Sequence, residues 1–392
     1  MRVIIIFFII IAVIAVFSFL GKFLGGEGNN QDSSQLQEET LSENSQITKP
    51  TTNYIGPASV APIIKPGLIF IDTEITSGPE EGEIIEDTNR VTFEFEAKLF
   101  PSQSKERVSF ETKIEGFDND WRKSSSKKRT INLPPGPKEY TFLVRAKTKN
   151  SIDLIPASRT FKINTSLYFG KIKISSVQIP TSSRPSLITL RTYLKKEEEI
   201  SITGWRIKGG TGSSFVIPQG IEKYYSSPFY NPVATDDILV KQGDKVYLSS
   251  NSNPLGKGRD FRLNKCLGYL TNYRDFPIPI PKNCLEPTRG EISHLNPCCQ
   301  EFILRLRSCE IPDYSSNLKI SRDSECVSYL NKNFNYNGCF RNYSKDENFL
   351  AKNWHIYLNR NTVVNNSCDT LYLRDQNNLF VDKHSYGRPV CR

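Results

Sequence analysis

The sequence predicts an all-β protein with two β-sandwiches after an N-terminal transmembrane helix, the second interrupted by a small helical insertion rich in disulfides. Three observations lead to this prediction. Apolar and polar residues alternate with a period of two over many short segments, which is typical of half-buried strands. The first twenty residues contain one long apolar run. All nine cysteines lie between Cys266 and Cys391, in the last third of the chain.

The apolar run Val3–Leu20 is long enough to cross a membrane. It holds eighteen residues without a charge, and a helix of that length spans about 27 Å, close to the hydrocarbon core of a bilayer at roughly 30 Å. A secretory signal peptide has a shorter apolar core and a small-residue cleavage motif, which is absent here. We therefore predict that residues 1–22 are an uncleaved signal anchor, with cleavage near Gly25 or Gly26 as the alternative.

The cysteines indicate which side of the membrane the remaining chain occupies. Arg2 and Lys22 flank the apolar run and give only a weak positive-inside bias. Thiols concentrated in one third of a chain suit an oxidising exterior, where disulfides persist. We expect a single-pass cell-membrane protein with a cytoplasmic N-terminus and extracytoplasmic C-terminal domains. Residues 23–66, polar and then rich in spaced prolines, have the composition of a disordered stalk.

The cysteines predict disulfides rather than a zinc site, because the chain has no CxxC pair and only three histidines. Cys266 and Cys284 are the favoured pair, since they would close a proline-rich loop. The odd total leaves one thiol over, and Cys391 and Cys368 are the candidate free thiols. The disulfide candidates are Cys266, Cys284, Cys298, Cys299, Cys309, Cys326 and Cys339.

The net charge of +9 is concentrated in residues 166–392. A basic surface of this kind attracts nucleic acid, anionic glycans or lipid headgroups, and an ordinary soluble surface is the alternative. No stripe of lysine and arginine interleaved with aromatic residues favours nucleic acid in particular.

Strands separated by turns predict the first sandwich, over residues 67–165. Val91–Ala97, Val108–Ile114 and Tyr140–Ala146 each alternate apolar and polar residues. Turns such as Leu133–Gly136 separate them. Short alternating strands with such turns, over about a hundred residues, are typical of an antiparallel β-sandwich.

Three segments of this region carry a family resemblance: TEITSGPEEGEIIEDTNRVTFEFEA, IEGFDNDWRK and INLPPGPKEYTFLVRAK. They resemble the immunoglobulin-like, fibronectin type III-like modules of bacterial surface proteins, over residues 70–163. We expect Trp121 to be a core residue that Phe142 and Val144 face. The resemblance implies a spacer or an adhesive domain.

A second alternating pattern follows Gly170 and predicts another sandwich over residues 168–388. Its Gly204–Trp205 pair and the two alternating arms of Asp369–Tyr386 resemble the lamin-tail domain, an immunoglobulin-like β-sandwich. The resemblance implies that Trp205 fills the core between the sheets and that Asp369–Tyr386 is the closing hairpin.

A segment of different composition, at about residues 250–352, interrupts the second sandwich. It has few alternating stretches and contains most of the cysteines. Helical patterns are predicted for Cys298–Cys309, Ser324–Asn331 and Asp346–Lys352. We therefore expect a small, helical, disulfide-stapled insertion at one end of the sandwich.

The sequence predicts no enzyme activity, no cofactor and no metal. It has no HExxH, GxSxG or P-loop motif, and its histidines are far apart. Asp118 and Asp120 could offer oxygen ligands to calcium, but such a site needs further carboxylates. A solvated turn is the favoured interpretation of these residues.

Two classes of function remain. The favoured one is a non-catalytic, membrane-anchored bacterial surface protein that presents its sandwiches for adhesion, envelope structure or ligand binding, the ligand being a surface protein, a glycan or nucleic acid. The alternative is an accessory protein that binds an anionic polymer, DNA or glycan, for uptake or processing at the cell surface. It rests on the basic C-terminal region and on the association of lamin-tail domains with exported nucleases. The oligomeric state stays open.

Overall fold

A computed structural model describes most of the chain from Phe70 onward. The predicted anchor (residues 1–22), the predicted stalk (residues 23–66) and Cys391 lie outside the described residues. Within the described part, no helix is long and apolar enough to cross a bilayer. The described residues are 70–102, 105–210, 212–225, 234–359 and 364–387.

The first sandwich consists of a three-stranded and a five-stranded sheet. The order in the smaller sheet is β1 (Phe70–Ser77), β3 (Arg90–Phe100) and β6 (Lys128–Asn132). The larger sheet has the order β2 (Glu83–Ile85), β8 (Ala157–Ile163), β7 (Lys138–Lys147), β4 (Ser109–Glu115) and β5 (Arg122–Ser124). Neighbouring strands are antiparallel except β2 and β8.

Alternate residues of these strands fill the first core with phenylalanine. Phe93 stacks on Phe142, with ring centroids 3.9 Å apart. Trp121 lies elsewhere: it is half-buried beneath the guanidinium of Arg145, which is 4.2 Å from the indole centroid. The expectation that Trp121 is a core residue is wrong. Phe142 and Val144 point inward, whereas Arg145, the residue after Val144, points outward, and the indole packs with this outward side chain.

The second sandwich is built from eleven strands among the described residues. One sheet has the order β16 (Phe261–Asn264), β17 (Leu350–Tyr357), β15 (Lys245–Ser249), β10 (Leu187–Thr192) and β9 (Ile172–Gln178). The second has the order β13 (Ser214–Val216), β12 (Arg206–Gly209), β18 (Cys368–Arg374) and β19 (Phe380–Gly387). A small pair is β11 (Ile200–Ser201) with β14 (Leu239–Val240). Trp205 and Trp354 lie fully buried in the core.

The insertion connects β15 to β17, which are parallel neighbours. Parallel strands need a long crossover connection, and the insertion supplies it. Part of the predicted 250–352 range belongs to the sheet, because β16 pairs with β17. The helix predicted over Asp346–Lys352 is wrong, since β17 begins at Leu350.

Four short helices and a 3₁₀ helix are the helical elements of the insertion. The side chains of Asn296, Asp323 and Asn335 accept hydrogen bonds from the first turns of three of the helices and so cap them. The 3₁₀ helix is Leu267–Asn272, and the helices are α1 (Pro297–Arg305), α2 (Leu318–Ser321), α3 (Ser324–Asn333) and α4 (Tyr336–Tyr343).

Three disulfides staple the insertion, and their pairing differs from the expected one. The bonds are Cys266–Cys339, Cys284–Cys309 and Cys299–Cys326. The favoured pair Cys266–Cys284 is therefore wrong. Cys266 precedes the 3₁₀ helix, which packs against α4, and this contact brings Cys266 to Cys339.

Among the described cysteines the free thiol is Cys298, so its prediction as a disulfide candidate is wrong. Cys298 is exposed and unbonded, whereas Cys368 is disulfide-bonded and so is not a free thiol. Successive residues of a helix point about 100° apart. In α1 this rotation places Cys299 in the buried cluster of the insertion and Cys298 in solvent.

Candidate ligand clefts

The first candidate site, which we term the interdomain cleft, lies between the two sandwiches and has a volume of about 630 Å³. Glu86 and Asn164 of the first sandwich form one side of it, and β12, β18 and the turn after β18 form the other. Its lining residues are Glu86, Asn164, Lys208, Gly209, Gly210, Tyr372, Arg374, Asn377, Asn378 and Leu379.

Hydrogen bonds at the junction hold the two sides of this cleft, which lie in one compact unit. The buried hydroxyl of Ser166 donates to Asp375 Oδ2 over 2.7 Å, and the Ser166 N–H donates to the carbonyl of Phe380. The other oxygen of Asp375 accepts the N–H groups of Asn377 and Leu379 at 2.9 and 3.0 Å. One carboxylate thus shapes the β18–β19 turn and joins it to the segment that directly follows the first sandwich.

Several polar side chains converge on the interdomain cleft without an internal partner. Within the described residues, no hydrogen bond or ion pair involves the side chains of Lys208, Tyr372, Asn164 or Asn377. Arg374 is partly engaged, because it donates to the Asn378 carbonyl over 2.9 Å and lies 3.9 Å from Glu86. The cleft therefore offers amide, phenol and cationic groups to a ligand.

Glycines keep one wall of the cleft free of side chains. A Cβ on Gly209 would lie 2.6 Å from Asp369 Oδ2, which is a steric clash for a carbon atom. The N–H of Gly210 donates to the same carboxylate over 2.8 Å. The backbone therefore lies directly against the Asp369 carboxylate, and a larger residue at position 209 would displace that carboxylate.

A group of cations, which we term the basic face, continues outward from the cleft. On the outer face of the four-stranded sheet, Arg206 lies opposite Arg374, and Tyr372 lies between Lys208 and Lys383. A hydrogen bond to Asp87 raises the pKa of Lys383. Arg206 and Lys208 form no ion pair within the described residues. The basic face comprises Arg206, Lys208, Arg374 and Lys383 around Tyr372.

The second candidate site, which we term the insertion cleft, lies where the second sandwich meets the insertion and has a volume of about 670 Å³. Apolar side chains form much of its lining, and charged and amide side chains the rest. The lining residues are Gln178, Ser183, Arg184, Pro185, Leu187, Asn251, Asp275, Phe276, Pro277, Ile278 and Pro279.

Contacts behind the insertion cleft hold its proline-rich segment. The Phe276 ring packs edge-on against Phe261 of β16, with centroids 6.2 Å apart. The Asn272 amide donates to the Cys309 carbonyl over 2.8 Å, and the Cys284–Cys309 disulfide anchors the far end of the segment. The cleft wall is therefore fixed at both ends.

Buried ionisable groups lie near this boundary. Asp260 accepts the Tyr357 N–H over 2.7 Å, and burial raises its pKa to about 6. Burial also lowers the pKa of His355 to about 4. His355 packs against Tyr247 and Phe261. A neutral imidazole enclosed by aromatic rings acts here as a packing group.

Asp118, which was considered as a calcium ligand, forms ion pairs with two arginines instead. Asp118 is buried and lies 2.6 Å from Arg129 Nη2 and 2.7 Å from Arg122 Nε. It also accepts the Ile114 N–H over 2.8 Å. Asp118 thus closes a loop of the first sandwich, and the solvated turn favoured from the sequence is a buried ion-pair site instead.

Sequence reasoning missed the residues that line both clefts. Lys208, Tyr372, Arg184 and Asp275 belong to no motif, and their proximity depends on contacts between distant strands and loops. Alternation on β12 and β18 marks Lys208 and Tyr372 as outward-facing, which was the one available signal.

Comparisons with known proteins identify one domain family. Residues 101–165 match the Y_Y_Y domain family, and these residues cover β4 to β8 of the first sandwich. No curated protein matches the chain.

Several solved structures are similar to part of the chain. The extracellular domain of a putative hybrid two-component system from B. thetaiotaomicron is 23% identical over 23% of this chain and 14% of its own length, with a TM-score of 0.18. That of a putative one-component system from the same organism is 21% identical over 21% and 12%, with a TM-score of 0.17. The chicken CNTN1 FN1–FN3 domains are 11% identical over 43% and 55%, with a TM-score of 0.18. The chain thus spans about a seventh or less of the two bacterial proteins. Its β-rich first sandwich contains a match to the Y_Y_Y domain family.

Proposed function

We propose that this chain is an extracytoplasmic, non-catalytic binding protein that captures a ligand in the interdomain cleft. Its apolar N-terminal segment tethers it to the membrane, and its second sandwich is a lamin-tail-like domain that carries the helical insertion. The observation that carries the proposal is the convergence of unpartnered polar side chains on a cleft of about 630 Å³.

The disulfides support the extracytoplasmic location. Three bonds staple one insertion, and Cys368 is bonded as well. Disulfides in such density persist in oxidising compartments and are rare in the cytosol.

The exposed thiol of Cys298 gives a direct test of location. A membrane-impermeant maleimide added to sealed spheroplasts of the host should label the wild-type protein and leave a Cys298→Ser variant unlabelled. Labelling that requires permeabilisation of the cytoplasmic membrane would place the insertion inside the cell and refute the location.

The chemistry of the interdomain cleft supports binding of a hydroxyl-rich ligand such as a glycan. Amide groups can donate to and accept from neighbouring hydroxyls, and the Tyr372 ring offers an apolar surface with a polar tip. A few placed polar groups in a concave site are typical of ligand pockets.

Glycan binding to the full-length protein in nanodiscs tests this function. Neutral and acidic soluble polysaccharides are titrated against the wild type and against Lys208→Ala and Tyr372→Ala. We expect at least a tenfold loss of affinity in both variants, and no loss in Lys196→Ala, which removes an exposed cation of the β10–β11 loop. Equal binding by all four proteins, or binding of none of the polysaccharides, contradicts the proposal.

The basic face favours a second candidate function, binding of an anionic polymer for uptake or processing. Arg206 and Lys208 are exposed, unpaired within the described chain, and adjacent to Arg374. Cations left without carboxylate partners attract polyanions.

Salt dependence separates the two functions. If a polyanion is the ligand, affinity for heparin or duplex DNA falls steeply between 50 and 200 mM salt, and Arg206→Ala lowers the slope of log affinity against log salt by about 1. Affinity that does not change with salt favours recognition of a neutral glycan.

A further inference from the structure

We propose that the insertion cleft binds a free α-amino acid with an apolar side chain. This site is separate from the interdomain cleft, and the proposal goes beyond the function given above. It rests on two opposite charges and an apolar surface that line one cavity.

The two charges lack partners among the residues that the structure describes. Arg184 and Asp275 both line the cleft, and their side chains form no ion pair or hydrogen bond with each other or with another described residue. An α-amino acid carries a carboxylate and an ammonium group on one carbon. Arg184 can bind the carboxylate in the bidentate manner of guanidinium groups, while Asp275 accepts from the ammonium.

Local contacts fix the backbone of both charged residues. Thr181 and Arg184 exchange backbone hydrogen bonds of 2.8 and 3.4 Å, and the Gln178 amide donates to the Pro185 carbonyl over 2.8 Å, which closes the loop that carries Arg184. On the other side, the Arg274 guanidinium donates to the Pro254 carbonyl over 2.7 Å. This contact holds the residue directly before Asp275.

An apolar surface lies in the same cavity. Leu187, Phe276 and Ile278 line it. Ile278 is buried in the hydrophobic cluster between the insertion and the sandwich, and the partly buried Leu187 and Phe276 pack against that cluster. Such a surface suits an aliphatic or aromatic side chain, because burial of apolar area is favourable. The volume of about 670 Å³ accommodates a small molecule.

This combination distinguishes a zwitterion from other ligands. A simple anion leaves Asp275 as an unfavourable neighbour, and a simple cation has the same conflict with Arg184. The end of a peptide chain offers only one terminal charge, whereas the cleft is lined by a cation and an anion. The free amino acid satisfies both charges and the apolar surface at once.

Charge-deleted analogues test the proposal. L-leucine, leucinamide and N-acetylleucine are titrated by calorimetry into the full-length protein in nanodiscs. We expect leucine to bind at least tenfold more tightly than either analogue, since leucinamide lacks the carboxylate and N-acetylleucine lacks the ammonium.

Two variants assign each charge. Arg184→Gln should remove the preference for leucine over leucinamide, and Asp275→Asn should remove the preference for leucine over N-acetylleucine. The matched controls are Arg191→Gln, exposed on the same strand as Leu187, and Asp120→Asn, exposed in the first sandwich; both should behave as the wild type. Absence of leucine binding at millimolar concentration, or preferences unchanged in both cleft variants, overturns the proposal. Glycan binding at the interdomain cleft is unaffected by either result.

Discussion

Two buried side chains between the insertion and the second sandwich titrate in opposite directions. Burial raises the pKa of Asp260 from 3.8 to about 6 and lowers the pKa of His355 from 6.5 to about 4. The folded protein therefore binds more protons at Asp260 than the unfolded chain does, and fewer at His355. Both differences fall between about pH 4 and pH 6.5.

These shifts predict two opposing effects of pH on the stability of the folded protein. Each effect becomes measurable when the other group is removed by a substitution. Stability from Asp260 is lost as pH rises from about 4 to about 6, because the folded state favours the protonated acid. Stability from His355 is lost as pH falls from about 6.5 to about 4, because the folded state favours the neutral ring. Each contribution is on the order of 3 kcal/mol, and in the wild type the two largely cancel.

Denaturant unfolding between pH 4 and pH 7 measures the effect. Relative to the wild type, Asp260→Asn should lose stability as pH falls from 6.5, and it keeps an acceptor for the Tyr357 N–H. His355→Phe should instead lose stability as pH rises from 4 to 6. Parallel pH profiles for the wild type and both variants contradict the prediction.

The second residue-scale prediction concerns the thiol at Cys298. Alkylation of the unfolded, unreduced protein should modify Cys298 and none of the six stapled cysteines. Cys298 is a free thiol, whereas each of the six is bonded to another cysteine. Peptide mapping by mass spectrometry should then recover the three linked pairs. A peptide that joins Cys298 to any of these six is the opposing result.

At the scale of elements, the helices α1 and α3 depend on one staple. Cys299–Cys326 joins them across 27 residues of chain, and both sulfurs lie in a small cluster with Ile303 and Leu330. Helices of nine and ten residues are marginal in water by themselves. Their stability therefore comes from the disulfide and this cluster.

Removal of that staple should loosen the insertion and leave the sandwich unchanged. Cys299→Ala with Cys326→Ala is expected to cost about 2–4 kcal/mol and to accelerate amide exchange over residues 297–333. Exchange in β10 and β15 should match the wild type, and Cys298→Ala serves as the control with an intact staple. Equal acceleration in β10 would show that insertion and sandwich unfold together.

The positions of strands could be predicted from the sequence, but whether a given side chain lies in the core could not always be. Period-two alternation located β3, β4 and β7, because burial of one sheet face is a local constraint on each strand. Trp121 lies in a short segment without alternation, where size and apolarity suggested the core. Its actual position depends on Arg145 of β7, two strands away in the sheet, which the local pattern does not specify.

For the whole molecule, the junction between the sandwiches is the feature that creates the interdomain cleft. Ser166 and Gly170 donate backbone hydrogen bonds to the carbonyls of Phe380 and Val381, and Ser166 adds its hydroxyl to Asp375. The exposed ion pair of Lys383 with Asp87 spans the same boundary. Buried hydrogen bonds to a charged group contribute more than exposed ion pairs.

Ser166→Ala should therefore destabilise the junction, whereas Lys383→Ala should have little effect on its stability. Loss of the buried hydroxyl leaves Asp375 short of a donor and should cost about 1–3 kcal/mol, with faster exchange of the backbone amides at positions 166 and 170. Lys383→Ala should change stability by less than about 1 kcal/mol. A larger effect of Lys383→Ala than of Ser166→Ala would mean that surface charge, and not the buried contact, holds the sandwiches.

The sequence by itself determined the β-rich class, the position of the two alternating regions and the cysteine-rich insertion between β15 and β17, because each follows from patterns among neighbouring residues. Only the tertiary structure decided the disulfide partners, the place of Trp121 and the two clefts. Each of these depends on contacts between residues far apart in the chain. Strand register places Lys208 beside Tyr372, and packing of the insertion on the sheet places Arg184 and Asp275 in the lining of one cleft. Neither arrangement can be read from neighbouring residues in the sequence.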